Sequence, residues 1–311
     1  MKKITAVLCA IVFLSAIVQK ASAQFYFYNN KYYDNPLQIE LGASVGAMNC
    51  FTDIGGRKGI GKKFVKDLNM GKTQPAGSIY LSANYKYAIS LRAEASFGKV
   101  TATDAVLKSV AASTYGRYER NLSFRSTISE FMLAAEIHPL YIFNHYDEDK
   151  YPPLISPYIL AGIGFFHFNP QAKLQDRWVD LQPLSTEGQG FQEYPGTSQY
   201  KLSQMNIPVG AGVRYELSPT LNLRAELVYR ILSTDYLDDV SGNYIDPTLY
   251  PNYFTGGKLN DAYLLNDRQY ELDPTHITHA GDQRGNPKNN DSYFTFNVKI
   301  GYIFGRENIK R

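Results

Sequence analysis

The sequence predicts an eight-stranded antiparallel transmembrane β-barrel with long loops at one end. Three observations carry that prediction. Eight segments of about 9–11 residues or slightly more alternate apolar and polar side chains. Nothing after residue 23 reads as a run of 18 apolar residues, so the chain does not cross a bilayer as a helix. The connections between segments alternate long and short, the pattern of a barrel with external loops and internal turns.

The first element to set aside is residues 1–23, which read as a secretory signal peptide. Lys2 and Lys3 precede an apolar stretch from Ile4 to Val18, and Ala21-Ser22-Ala23 forms a small-residue cleavage site before Gln24. Cys9 lacks the preceding small residues of a lipid-attachment signal. The expected plan is then a periplasmic N-terminal segment at 24–37, a barrel at 38–305 and a periplasmic tail at 306–311. The whole chain holds 32 Lys+Arg against 29 Asp+Glu; without Lys2, Lys3 and Lys20 the two signs balance. Bulk charge therefore gives nucleic-acid binding nothing to rest on. Cys50 alone remains after cleavage, which excludes an internal disulfide, a four-cysteine zinc site and a Cys-x-x-Cys redox centre.

The eight segments are 38–47, 77–87, 89–98, 127–138, 157–168, 206–217, 221–232 and 293–304. Each has one uncharged, mostly apolar face, for example Ile39, Leu41, Ala43, Val45 and Ala47 in the first, and Leu221, Leu223, Ala225, Leu227, Tyr229 and Ile231 in the seventh. Aromatic residues sit near the segment ends (Tyr85, Tyr87, Phe97, Tyr215, Tyr229, Tyr302, Phe304), as interfacial girdles do. This favours a membrane barrel over a soluble sandwich, whose strands also alternate. The opposite faces carry Glu40, Lys86, Arg92, Glu94, Glu130, Glu136, Arg214, Glu216, Arg224, Glu226, Arg230 and Lys299.

Connections of roughly 48–76, 99–126, 169–205 and 233–292 are long, and those at 87–89 and 218–220 are tight. The connection 139–156 is intermediate, and both termini fall on the periplasmic side. Short helices are expected at 105–112 behind a Thr103-Asp104 cap, at 62–68, and from Asn260-Asp261 to Asn266.

An eight-stranded lumen is only wide enough for its own side chains, so the twelve inward charges are expected to neutralise one another rather than line a pore. The hairpin that joins the sixth and seventh segments makes this specific: Glu216 opposite Arg224 and Arg214 opposite Glu226 pairs unlike charges, whereas a register two residues tighter sets Arg214 against Arg224.

Other constellations read as structure. Gly56 to Lys63 superficially matches a phosphate loop, but Lys63 stands where Ser or Thr would hold magnesium. Gly162-Ile163-Gly164 and Gly210-Ala211-Gly212 lie within strands, where glycine makes room in a narrow lumen. His276, His279, Asp273 and Asp282 form a loop cluster without fixed geometry. Asp235, Asp238, Asp239, Asn243 and Asp246 do not follow the EF-hand spacing and read as turn formers. The strand histidines are His138 and His167, and no strand serine pairs convincingly with His167 as a hydrolase would need. No catalytic residue, cofactor or metal is expected.

Segments 42–53 (GASVGAMNCFTD), 116–126 (GRYERNLSFRS), 157–172 (PYILAGIGFFHFNPQA), 233–246 (STDYLDDVSGNYID) and 284–294 (RGNPKNNDSYF) together resemble the PorG-like outer-membrane β-barrel family of Bacteroidota. That resemblance implies an outer-membrane anchor or assembly partner of type IX secretion, with periplasmic ring or lipoprotein partners and no catalytic residues to transfer. A surface receptor or adhesin acting through the long loops, and a small diffusion channel, are the other readings. A periplasmic partner could dock on the acidic run Asp147-Glu148-Asp149, followed by Tyr151-Pro152-Pro153, which would steer a basic surface. Two further expectations concern topology. Cys50 in the first long loop faces outward, and Leu223→Arg on the outer face is more damaging than Asn222→Arg on the inner one.

Overall fold

A computed structural model describes residues 37–55, 70–114, 116–143 and 153–304. The expected signal peptide, the N-terminal segment through Pro36, the phosphate-loop match, the helix expected at 62–68, the acidic run 147–149 and the tail lie outside the described residues.

Each of the eight alternating segments forms a strand: β1 (Leu37–Phe51), β2 (Gln74–Tyr85), β3 (Ile89–Thr103), β4 (Ser123–Ile137), β5 (Ile155–His167), β8 (Ser203–Ser218), β9 (Leu221–Leu232) and β10 (Ser292–Ile303). Two more strands, β6 (Pro170–Leu174) and β7 (Arg177–Asp180), form a hairpin inside the 169–205 connection, which the sequence reads as loop. Neighbouring strands pair antiparallel, β1 with β10 joins the two ends of the chain, and β3 with β4 closes the cylinder. The β6–β7 hairpin extends the wall from β4 at Arg125 and Ser126.

Alternation decides which side chains face out. Leu41, Ile79, Leu91, Leu133, Ile159, Ile207, Leu227 and Val298 are all exposed on the outer wall, an apolar band of the kind a bilayer covers. The inward positions are almost all buried. The band begins at short turns (the turn end) and stops below the long connections (the loop end).

Two expectations about the turn end are corrected. Lys86 does not face the lumen, and Tyr87 does not join the outer girdle. Strand pairing stops at Tyr85–Ile89, and the three-residue turn places Lys86 and Tyr87 both at positive φ (49° and 60°). The period of two ends there, so Lys86 is exposed and Tyr87 swings inward, stacked on Tyr141 with centroids 5.5 Å apart. Asn222 is not a tolerant inward site either: it is buried, and its Nδ2 donates to Glu40 Oε2 at 2.9 Å, so an arginine there meets a filled lumen.

The hairpin register is also corrected. Arg214 faces Arg224, and Glu216 faces Asn222. The turn decides this: the Ser218 hydroxyl oxygen accepts from the backbone N–H of Leu221 at 3.0 Å, and Ser218 pairs with Leu221 across a bulge. The two guanidinium groups then find partners elsewhere, as described below.

Above the band the long connections fold into a cap. Met48, Val100, Leu122, Phe124, Ile128, Phe166, Phe168, Leu237, Val240 and Tyr293 form one apolar cluster across the loop end. A second cluster joins the β6–β7 hairpin to helix α1 (Gly256–Asn266), which starts before the expected Asn260. The Thr103 hydroxyl caps the 3-10 helix Asp104–Ser113 by accepting from Ala105 N–H.

Cys50 belongs to this core and not to an open loop. It is the penultimate residue of β1 and is buried in the first cluster. A membrane-impermeant maleimide added to intact cells is therefore expected to leave Cys50 unlabelled until the protein is denatured. A Lys258→Cys variant, at an exposed position of α1, is expected to label on the same cells.

Candidate functional site

The lumen is the first candidate, and ion pairs fill it. Eleven of the twelve charges singled out in the sequence are buried on inward positions, Lys86 being the exception. Seven of them make one continuous network. Arg224 binds Glu40 (Nη2 to Oε2, 2.7 Å) and Glu136 (Nη1 to Oε2, 2.9 Å). Arg92 binds Glu136 at 2.8 Å, Glu226 at 2.7 Å and Glu94 at 3.2 Å. Lys299 closes the chain on Glu94 at 2.6 Å and Glu226 at 2.9 Å. Nearer the loop end, Arg230 pairs with Glu130 at 2.9 Å and donates to Thr295 at 2.6 Å.

Arg224 thus turns across the lumen to Glu40 and Glu136. Arg214 lies over the rings of Tyr87 and Tyr141, 5.8 and 5.9 Å from their centroids. That divergence removes the repulsion expected of a facing arginine pair.

The sequence reading missed the tyrosines that complete this core. Tyr80 donates to Glu40 Oε1 at 2.6 Å, and Tyr158 donates to Glu226 Oε2 at 2.8 Å. Both sit on inward positions of alternating strands, a signal hidden by attention to charge. Glycine makes room for them: a Cβ on Gly212 would lie 2.5 Å from the Tyr158 ring, and one on Gly301 would overlap Glu40 and the Tyr80 hydroxyl. His138 is buried at the turn end, with Nδ1 3.0 Å from Ser156 Oγ and Nε2 3.6 Å from Glu136. Ion pairs and tyrosine hydroxyls thus occupy a lumen that eight strands make only wide enough for its own side chains.

The cap is the second candidate. Arg284 binds Glu187 at 2.9 Å and donates to the Asp239 carbonyl at 2.7 Å. Arg120 donates to the carbonyl oxygens of Arg284 and Asp53, at 2.5 and 2.8 Å, and pairs with Asp104 at 3.1 Å. Asp238 accepts from the N–H of Ile54 at 2.9 Å and of Val240 at 3.0 Å, while Asp291 accepts from Leu237 N–H at 2.8 Å. Asp53 accepts from Asn286 N–H at 2.5 Å. Segments 42–53, 116–126, 233–246 and 284–294 therefore meet here, and their Asp and Arg residues tie the four long connections together.

Of the proposed oxygen donors, Asp239 accepts from Thr186 and Tyr200, both at 2.6 Å, and Asp246 caps a short 3-10 helix by accepting from Thr248 N–H. Asn243 bridges to Gln283. His279 and Asp282 are exposed, and Asp273 accepts from Thr275 N–H. No group of three or more His, Cys, Asp or Glu among the described residues is arranged to hold a metal ion. One catalytic expectation is corrected: His167 Nδ1 lies 2.9 Å from Ser203 Oγ, directly opposite on the outer wall, although no carboxylate bonds to that pair among the described residues.

Asp235 is the odd member of the cap. It is buried, and neither carboxylate oxygen has a hydrogen-bond partner among the described residues. Burial pushes its pKa from 3.8 to about 8; the Ser241 hydroxyl offsets part of this, and the charges of Asp53 and Glu187 add to it. An acid raised in this way holds more protons folded than unfolded between those two values. Its contribution is complete below the unfolded pKa and is lost as pH climbs towards 8. Asp235→Asn is expected to be near neutral below about pH 4 and to stabilise the cap progressively as pH rises towards 8, by several kcal/mol at pH 9. Hydrogen exchange at the Leu237 and Val240 amides measures it; equal protection in both proteins at pH 9 would contradict it.

The family described as a domain of unknown function (DUF6089) matches residues 25–267. No curated protein matches the sequence. Among solved structures, the attachment invasion locus protein Ail of Yersinia pestis, crystallised with the heparin analogue sucrose octasulfate, is 11% identical with a TM-score of 0.34 and covers 86% of this chain and 97% of its own. Neisserial surface protein A is 8% identical with a TM-score of 0.38 over 86% and 97%. The Escherichia coli outer membrane protein W is 12% identical with a TM-score of 0.34 over 85% and 97%.

Proposed function

The chain belongs to the DUF6089 family, a domain of unknown function, and from that premise we propose that it is a non-enzymatic outer-membrane barrel serving as an anchor or assembly partner, similar to the PorG component of type IX secretion. The observation that carries this reading is the combination of an apolar outer wall with a lumen closed by ion pairs. Such a molecule holds a fixed position in a bilayer and presents surfaces at its two ends. The ionisable side chains of the lumen neutralise one another, which leaves them poorly suited to chemistry on a substrate.

The secretion role rests on the sequence resemblance, and the partner surface on the turn end. Deleting the gene should abolish export of type IX cargo, and replacing Asp147, Glu148 and Asp149 with Ser should weaken pull-down of a periplasmic ring component while the barrel still inserts. Cargo export that survives the deletion rules the secretion role out. The second reading, a surface receptor or adhesin, draws on the exposed Tyr263, Tyr270, Leu272 and Ile277 in the last long connection. It predicts loss of ligand binding by deletion cells that still export cargo normally.

A further inference from the structure

The outer wall just above the apolar band differs from one side to the other. On β1, β9 and β10 the outward residues at the loop end are Phe51, Tyr229, Phe294 and Ile231, with Phe51 packed on Phe294 at 5.5 Å and on Tyr229 at 6.3 Å between centroids. On β3, β4 and the β6–β7 hairpin they are basic. Lys99 stands two residues beyond Phe97 and faces Thr127. Arg125 stands two residues beyond Thr127 and faces Gln171 on β6. Lys173, two residues on, faces Trp178. Strand alternation puts all of them on the outer face.

The local contacts leave this charge available. Arg125 donates through Nε to Gln171 Oε1 at 2.9 Å, and its guanidinium lies 3.7 Å from the centre of the Trp178 ring, which is 41% exposed. Lys99, Arg125 and Lys173 make no ion pair among the described residues. The neighbouring Asp180 is held by the amides of Gln171 at 2.6 Å and Asn169 at 3.0 Å, and Arg177 is held by Asp261. Asp176 is exposed at the hairpin tip.

Height above the band matters as much as sign. With about 3.3 Å per residue and a strand tilt of about 40°, Lys99 stands roughly 5 Å above Phe97, Arg125 roughly 10 Å above Ser129, the partner of Phe97, and Lys173 and Trp178 roughly 5 Å higher again. The headgroup layer is roughly 5–8 Å thick on each side of the hydrocarbon. Lys99 therefore stands at the level of lipid phosphates, Arg125 reaches down to them along its side chain, and Lys173 and Trp178 form the upper edge of this face, on one side of the barrel only.

We infer that Lys99 and Arg125, on the outward face that Lys173 and Trp178 extend, bind the phosphate of an anionic lipid headgroup in the leaflet at the loop end. This rests on the membrane reading above. The guanidinium fork and the Lys99 ammonium meet the phosphate oxygens, and Lys173 adds attraction from above. The indole holds the Arg125 guanidinium against its face and so senses what that guanidinium binds.

Trp178 is the only tryptophan in the chain, so its emission reports this face alone. The test uses the full mature chain in phosphatidylcholine bilayers titrated with phosphatidic acid. The comparison is a Lys99→Gln/Arg125→Gln/Lys173→Gln variant, and insertion is verified for both by protease protection. Wild type should give a saturating emission change with a midpoint at least about fivefold lower in phosphatidic acid than the variant, each nearby cation adding to lipid attraction. Inorganic phosphate should give no change. Equal midpoints, no response from inserted wild type, or full reproduction by inorganic phosphate overturns this inference and leaves the membrane reading standing. A wild-type chain that does not insert overturns both.

Discussion

Replacing Arg224 with Met is expected to destabilise the barrel by about 3–5 kcal/mol, because it strands two buried carboxylates, Glu40 and Glu136. Glu136 keeps Arg92 at 2.8 Å, so the uncompensated charge falls chiefly on Glu40, which retains hydrogen bonds from Tyr80 and Asn222. Adding Glu40→Gln to Arg224→Met should therefore recover part of the loss, with a coupling above about 1 kcal/mol. Lys86→Met, at an exposed turn, should stay within about 0.5 kcal/mol. Urea unfolding of the folded barrel, followed by its heat-modifiable electrophoretic mobility, measures all four proteins. Arg224→Met and Lys86→Met with equal midpoints would mean that the lumen charges are solvated.

Leu227→Arg is expected to cost about 2–4 kcal/mol through a different route, by placing a cation on the outer wall near the middle of the apolar band. Leu227 lies midway along the outward run of β9, faces Phe296 and Ala211 on its neighbours, and is 50% exposed. Leu223→Arg, nearer the turn end opposite Tyr215 and Ile300, should cost less, because the arginine can reach the interface there. The same assay in lipid vesicles resolves the gradient. A flat response along β9 would mean that no bilayer covers this wall.

Strand existence and facing were legible because alternation is a local property: Leu41 and Leu227 can be placed outward from their immediate neighbours alone. The period failed where local chemistry changed. At Tyr85-Lys86-Tyr87 two left-handed residues rotate the chain, and alternation extended through the turn misplaces both Lys86 and Tyr87. Register needed more than local pattern. Cross-strand charge pairing favoured Arg214 opposite Glu226, but Arg224 takes Glu40 as its partner from 184 positions away, across the lumen. The Ser218 turn was then free to set the pairing.

The cap was the least legible part. Asp53 meets Asn286, and Arg120 meets Arg284, through contacts 233 and 164 positions apart in loops without period. Reading Asp235, Asp238 and Asp246 as turn formers captures Asp246 at its helix start, while Asp238 also reaches across to Ile54. The segments that carry the family resemblance were visible as words, but their convergence on one buried network was not. Cys50 was misplaced for the same reason: the strand continues past the apolar band into a core made by distant loops.

The filled lumen is tested most directly by planar-bilayer recording of the purified full-length barrel, with insertion established independently by protease protection. Side chains that pair from Glu40 through Arg224, Glu136, Arg92 and Glu226 to Lys299 leave no continuous aqueous path, so inserted protein should raise no sustained current above the bare bilayer. Stable open-channel currents from inserted wild-type protein would contradict the closed lumen and return the molecule to the class of diffusion channels.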